Sequence, residues 1–398
     1  MRAYLDNSAT TAVAPEVVEA MLPYLSEEFG NAQSVHSFGQ RAKASVERSR
    51  RQIAALLNAS PSEIVFVSGG TEADNLAILG IAAAHSDRGR HVITTRIEHP
   101  AVLAACSELE RSGFRITYLP VSREGIVDVQ DVHSALERDT ILISVMHANN
   151  ETGAVQPIEQ IGHIVAEARA SGNSHLYFHT DAVQSAGKIA IDVKNLGVDL
   201  LSISGHKIHA PKGIGALYLR KGVRLGKILF GGHQERDRRP GTENVPGIVA
   251  LGKAAQLIAA DFDNRAARMR ELRDYLEGRI MEIKGVRVNA NLEARVPNVS
   301  NLSFDDIDGE SLLIALDLKG VAVSTGSACA SGSLEPSHVL TAMGLTREEV
   351  RGSLRFSLSA YTTREEIDYA VSVLAETVAR LRDMLPAEGS PFEEAALR

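Results

Sequence analysis

The chain has 398 residues, 44% of them hydrophobic and 23% charged, enough to bury one large core and a smaller one. Its net charge of −8 argues against a surface for nucleic acid or anionic membrane. Two cysteines exclude a disulfide framework and fit a reducing compartment. The opening MRAYLDNSATT has no apolar signal-like core, and no apolar run approaches membrane-spanning length, so a cytoplasmic protein is expected. The thirteen histidines show no spacing with cysteine that suits a metal, and no metal is expected.

Taken in order, the pattern predicts a helix over 15–25, with a proline at a favoured early position. After the polar turn GNAQSVHSFG at 30–39, an Arg-rich amphipathic helix is expected over 40–57, its charges forming a solvated face. Residues 63–67 read as a strand, followed by Ser68-Gly69-Gly70-Thr71 and a helix over 76–84. A strand, paired glycines and a helix start make an anion site from backbone N–H groups and the helix dipole. The Gly-Lys-Ser/Thr ending of a nucleotide loop is lacking. Residues 91–95 form the next strand, with Glu98-His99-Pro100 at its end. Cys106 follows in a helix where it shares a face with Val102 and Leu109, which makes it a core residue. A strand over 141–146 runs into His147-Ala148-Asn149-Asn150, and 158–171 is helical. Strands and helices alternate from Ile64 to Leu219, so mostly parallel pairing with right-handed crossovers is expected. The candidate site residues fall at strand carboxyl ends, where ligands of open α/β sheets gather.

Residues 200–219, LLSISGHKIHAPKGIGALYL, read as two strands around a Gly/Pro loop that pins Lys207. A lone loop lysine is ordinarily solvated, but a pinned one serves as a nucleophilic amine with a lowered pKa. Its company supports the second reading. Asp181, in YFHTDAVQ, ends the preceding apolar run. An acid and a lysine at successive strand ends are what pyridoxal phosphate needs: the lysine for the Schiff base, the carboxylate to keep the pyridine nitrogen protonated.

Further on, GGHQERDRRPGTEN at 231–244 reads by itself as a mobile basic loop, and a long helical stretch over 245–283 leads to a second domain. There, strands are expected at 298–304 and 321–324 around a short helix at 309–318. The small-residue run at 324–333 surrounds Cys329 with nothing to bury it as a hydrophobe. Arg355 sits in a strand over 353–359, ordinarily a solvent-facing position. The closing helix covers 363–385, before a tail over 386–398 expected to be frayed. The large domain is placed at 15–260, and the small one at 1–14 together with 261–398.

HTDAVQSAGK followed by SGHKIHAPKGIGALYL closely resembles the cysteine desulfurases of the NifS/IscS type, within the class V pyridoxal-phosphate aminotransferases. YLDNSATT at 4–11 resembles that family's opening strand and turn, and SACASGSLEPSHVL its catalytic-cysteine loop. The resemblance spans nearly the whole chain. It implies an α/β fold: a large domain with a mostly parallel sheet flanked by helices, of the aspartate-aminotransferase-like fold type I, plus a smaller α+β domain. It also implies an enzyme that converts L-cysteine to L-alanine and takes the sulfur onto Cys329 as a persulfide, with pyridoxal 5'-phosphate on Lys207. Asp181 would hold the ring nitrogen, His99 would stack on the ring and carry protons, and Asn150 and Gln184 would serve the ring-oxygen side. Gly70, Thr71, Ser204 and His206 would hold the phosphate. The match RxGT would place Thr242 on the phosphate of a partner subunit, making the enzyme a homodimer.

Arg355 would clamp the substrate carboxylate, a task suited to a planar guanidinium. Asn31 and His36 are in register as substrate contacts, although Ala32 and Gln33 replace the usual Pro and Ser. Ala360 stands where the family often has an arginine. The tail does not resemble the scaffold-docking tail of the IscS branch, which favours the NifS-like branch. The implied partner is a sulfur acceptor or iron–sulfur scaffold protein, with no nucleic acid and no membrane. A selenocysteine lyase, another class V β-lyase or aminotransferase, and a catalytically silent scaffold of the same fold are the alternatives. Cys329 argues against the related enzymes, and the intact set of Lys207, Asp181, His99 and Cys329 against a silent scaffold.

Overall fold

The structure, a computed structural model, describes residues 1–325 and 336–384. Strand β1 (Ala3–Tyr4) opens the chain; β2 (Ile64–Val67), β3 (His91–Thr95), β4 (Arg115–Leu119), β5 (Thr140–Ser144), β6 (Tyr177–Asp181), β7 (Leu200–Ser204) and β8 (Gly215–Leu219) follow. These last seven form one sheet in the order β2-β8-β7-β6-β5-β3-β4. Only β8 runs against its neighbours, pairing antiparallel with both β2 and β7, and the remaining pairs are parallel.

The central strands are buried on both faces, as their continuous apolar runs require. Successive residues point to opposite sides. Ile93, Ile143 and Leu201 pack under helices Ser37–Leu56, Ile158–Ala170 and Val245–Ala260. Val92, Leu142 and Leu200 pack under helices Gly70–His85 and Pro100–Arg111. Cys106 lies in that second layer, fully buried, and burial pushes its thiol up to about 12.

A separate core gathers around β9 (Val286–Val288), β10 (Val299–Phe304), β11 (Val321–Ala322) and β12 (Ser353–Ser357). β10 pairs antiparallel with both β9 and β12, and Phe304, Leu354 and Phe356 pack beneath helices Phe262–Ile280 and Arg364–Asp383. The amino terminus joins this core: β1 pairs parallel with β11, and Leu5 is fully buried there.

Several elements differ from their predicted extents. The helix expected over 15–25 is two, Pro15–Met21 and Pro23–Ser26, because Pro23 supplies no N–H to continue the ladder. The stretch over 245–283 is also two helices, bent by 81°, with Asp261 leaving helical geometry between them at φ −145°. The helix expected from residue 76 begins at Gly70. That six-residue extension brings its amino terminus up to the sheet edge. β4 was missed because its residues are half exposed and carry no sustained apolar run.

Candidate active site

A cleft of about 920 Å³, continuous with solvent, opens beyond the carboxyl ends of β5, β6 and β7. Gly70, Thr71, His99, Asn150, Asp181, Gln184, Ser204, His206, Lys207 and Arg355 all line it. Lys207 follows β7 in a single 3-10 turn, Gly205–Lys207. That turn needs its glycine, since a Cβ on Gly205 would lie 2.9 Å from Ile214 Cγ2. The Lys207 Nζ donates to the carbonyls of Ser8 (2.5 Å) and Ala9 (2.8 Å) in the amino-terminal turn.

Asp181 ends β6 and accepts the Val183 N–H at 2.8 Å. Burial raises its carboxyl above the usual carboxylate range, and the nearby His99 and Lys207 pull it back. A cation placed on a ring nitrogen would complete that reversal. His99 caps the helix Pro100–Arg111, its Nδ1 accepting the Ala101 N–H at 3.1 Å. The ring proton therefore sits on Nε2. Burial lowers the His99 pKa, against the pull of Asp181, so the imidazole is neutral. Beneath it Glu98 is fully buried and pushed up to about 8 by desolvation, with Oε1 accepting from Thr95 Oγ1 (2.7 Å) and Met146 N (2.9 Å).

At the other end of the cleft stands the amino terminus of helix Gly70–His85. A Cβ on Gly70 would meet Val183 Cγ2 at 2.8 Å, so glycine keeps the backbone N–H groups open to an anion. His206 beside it is pushed down to about 4, by burial first and then by Lys207, Lys212 and Lys188. Its neutral Nδ1 lies 3.2 Å from Thr10 Oγ1. An anion cradle, a lysine amine and a buried carboxylate thus line one cleft. That arrangement fits pyridoxal phosphate.

Arg355, on β12, reaches the cleft from the second core with its side chain nearly fully buried. Nη1 donates to the Asn150 carbonyl (2.9 Å) and Nη2 to Asp6 Oδ1 (2.7 Å), while Nε is buried without a hydrogen-bond partner. Asp6, Ser8 and Ala9 carry no sequence signal for these roles, since YLDNSATT reads only as a strand and turn. Asp74 was also missed. It is buried beside the cleft, its carboxyl held well above the usual range by desolvation and then by Asp181.

Three predicted residues do not join the cleft of their own chain. Asn31 and His36 have local roles: Asn31 Oδ1 accepts from Gln33 N (2.9 Å), and His36 caps helix Ser37–Leu56. Thr242 is exposed on its loop. Cys329 lies outside the described residues, as does the tail over 386–398. On either side of residues 326–335, Ser324 pairs through its backbone with Arg355, and Ser337 Oγ donates to the buried Glu151 Oε2 at 2.6 Å.

The family model for class-V aminotransferases matches residues 3–370. The chain is 50% identical, over 384 residues and 96% of both chains, to a protein of Dictyoglomus turgidum named cysteine desulfurase IscS. Among solved structures, a NifS-like protein superposes with a TM-score of 0.90 at 39% identity, covering 96% of this chain and all of that one. Another, described as SspA in complex with cysteine, gives 0.80 at 38% identity, covering 91% of this chain and 100% of its own. With its lysine, acid and arginine converging on one cleft, the chain belongs to the class V aminotransferases and, within them, to the cysteine desulfurases of the NifS/IscS type.

Proposed function

We propose that this enzyme binds pyridoxal phosphate and converts L-cysteine to L-alanine, transferring the sulfur to Cys329. The observation that carries the reading is the convergence of Lys207, Asp181 and Arg355 on one cleft with a helix amino terminus at its end. Lys207 would hold the cofactor through its amine, Asp181 its ring nitrogen, and Gly70, Thr71, Ser204 and His206 its phosphate. When bound, the cofactor supplies an electron-accepting ring that stabilises negative charge at the substrate Cα.

The protein's own residues do the rest. Arg355 binds the substrate carboxylate with the donors left over from Asp6 and Asn150. His99 presents Nε2–H to the cleft, because Nδ1 is occupied by the Ala101 N–H, so the neutral ring offers a hydrogen-bond donor and no free basic nitrogen. Lys207 Nζ is then the group that accepts the Cα proton. The Cys329 thiolate attacks the substrate sulfur: an S–S bond forms, the Cβ–S bond breaks, and Cβ gains a proton. Cysteine and a thiol become alanine and a persulfide. Thr242 of a second copy would complete the phosphate site, and a sulfur-acceptor protein would discharge the persulfide.

Cys329→Ala tests this directly. The variant is expected to take up L-cysteine, seen as a change in the cofactor's absorbance, yet to release almost no sulfur or alanine. Cys106→Ala, in the core, controls for general thiol loss and is expected to turn over normally. Wild-type alanine formation by Cys329→Ala would instead identify a plain β-lyase.

A further inference from the structure

Behind the cleft lies a second buried amine that the mechanism above does not use. Lys188 is buried, and its Nζ donates to the backbone carbonyl of Gln184 (2.9 Å) and to Gln184 Oε1 (3.3 Å). On its other end Gln184 donates from Nε2 to the Ser8 carbonyl at 3.0 Å. That same carbonyl accepts from Lys207 Nζ. A chain of hydrogen bonds therefore runs from Lys188 through Gln184 and Ser8 to Lys207.

Both ends of this chain restrict the amide. An ammonium or amine in this position donates, and a backbone carbonyl can only accept. With Oε1 held by Lys188 and Nε2 by Ser8, flipping the Gln184 amide would leave an acceptor against an acceptor and a donor against a donor. Nε2 carries a second hydrogen, and Gln184 lines the cleft. Resting on the functional reading above, we infer that Lys188 is a positioning residue: it locks the Gln184 amide so that an N–H, and not an oxygen, is offered to the ring oxygen of the cofactor.

The cost of keeping Lys188 there supports a purpose. Burial first, and then Lys207 and Arg355, bring its pKa down to about 7. Lys207, His209 and Arg265 line the small cavity on its far side, and no carboxylate is among the residues that line it. A methionine would fill the same space without that penalty.

The test follows the visible absorbance of the bound cofactor against pH in the wild type, Lys188→Met, Gln184→Ala and the double variant. A donor on the ring oxygen stabilises its negative form and so lowers the midpoint of that titration. Lys188→Met is expected to raise the midpoint by about half to one unit, the worth of one hydrogen bond. In the Gln184→Ala background the same substitution is expected to add nothing, because the lysine acts through the amide. An unmoved midpoint in Lys188→Met, or an equal shift in both backgrounds, overturns the inference while leaving the functional reading standing. A wild type that takes up no cofactor overturns the functional reading itself.

Should Lys188→Met fail to fold, glutamine side-chain 15N NMR of apo Lys207→Ala protein carries the test. With Lys207 gone and His209 pushed down to about 4, Lys188 is the amine facing Gln184, and its pKa rises above about 7 because Lys207 no longer lowers it. The Gln184 amide signal, assigned by its loss in Gln184→Ala, is expected to move between about pH 7 and the ordinary lysine value of 10.5. A signal that stays still across that range overturns the inference.

Discussion

Arg355 and Asp6 are 349 residues apart in sequence, and their side chains meet at 2.7 Å behind the cleft that Arg355 lines. The carboxylate fixes one end of the guanidinium, and the Asn150 carbonyl fixes the other nitrogen. The arginine is thus oriented before substrate arrives, and little ordering remains to be done on binding.

Asp6→Asn is therefore expected to weaken cysteine binding more than chemistry. Removing one partner of a buried charge pair leaves the other to find its own orientation. KM should rise on the order of tenfold to a hundredfold, with kcat changing much less. Steady-state kinetics decides it. A fall in kcat at constant KM would mean that Asp6 serves the chemical step.

Asp181→Asn is expected to retain cofactor, because the helix amino terminus and Lys207 are untouched. Turnover should fall by about two to three orders of magnitude, since a neutral amide does not hold a ring nitrogen in its protonated form. Lys207→Ala should instead lose the covalent link, which mass spectrometry after borohydride reduction would register. Full activity in Asp181→Asn would assign the ring nitrogen to another group.

Glu98 gives a pH dependence whose sign follows from its burial. Its folded pKa, about 8, lies above the ordinary carboxyl value of 4.5, so the folded state holds the proton more tightly than the unfolded chain. Its stability contribution is present below pH 4.5 and is lost as pH rises to about 8. Glu98→Gln resembles the protonated form and is spared that loss. Relative to wild type the variant should gain stability across this window, on the order of 3–5 kcal/mol at most. Urea unfolding of the apo protein at several pH values measures it, and a constant difference would show that Glu98 does not titrate there.

If Thr242 completes the site of a second copy, two inactive partners can restore one another. Mixing Lys207→Ala with Thr242→Ala protomers should produce heterodimers with one intact site each, or roughly a quarter of wild-type activity after random exchange. Sedimentation of the active enzyme as a monomer would exclude shared sites.

Much of this site was legible in the chain itself, and for local reasons. Apolar runs that end in Asp181 and at Ser204 become buried strands, and the residues just past them must emerge at the sheet's carboxyl edge. The paired glycines at 69–70 after β2 mark the turn from strand to helix, although the helix itself starts at Gly70, six residues before its apolar pattern predicts. These placements depend on short-range periodicity and steric room, which a sequence states openly.

Tertiary structure decided what crosses between the two cores. Nothing near Asp6 or Ser8 announces that one will orient Arg355 and the other accept from Lys207. Those contacts exist because β1 joins β11 and carries the amino-terminal turn back over the cleft. The Gln184 amide direction likewise comes from two partners on opposite sides, Lys188 and Ser8, with no local preference of its own. Asn31, His36 and Thr242 matched by pattern, yet the chain's own fold does not bring them to its cleft. A motif specifies which groups are available; distance in the folded chain determines which of them can act together, because hydrogen bonds and ion pairs reach only a few ångströms.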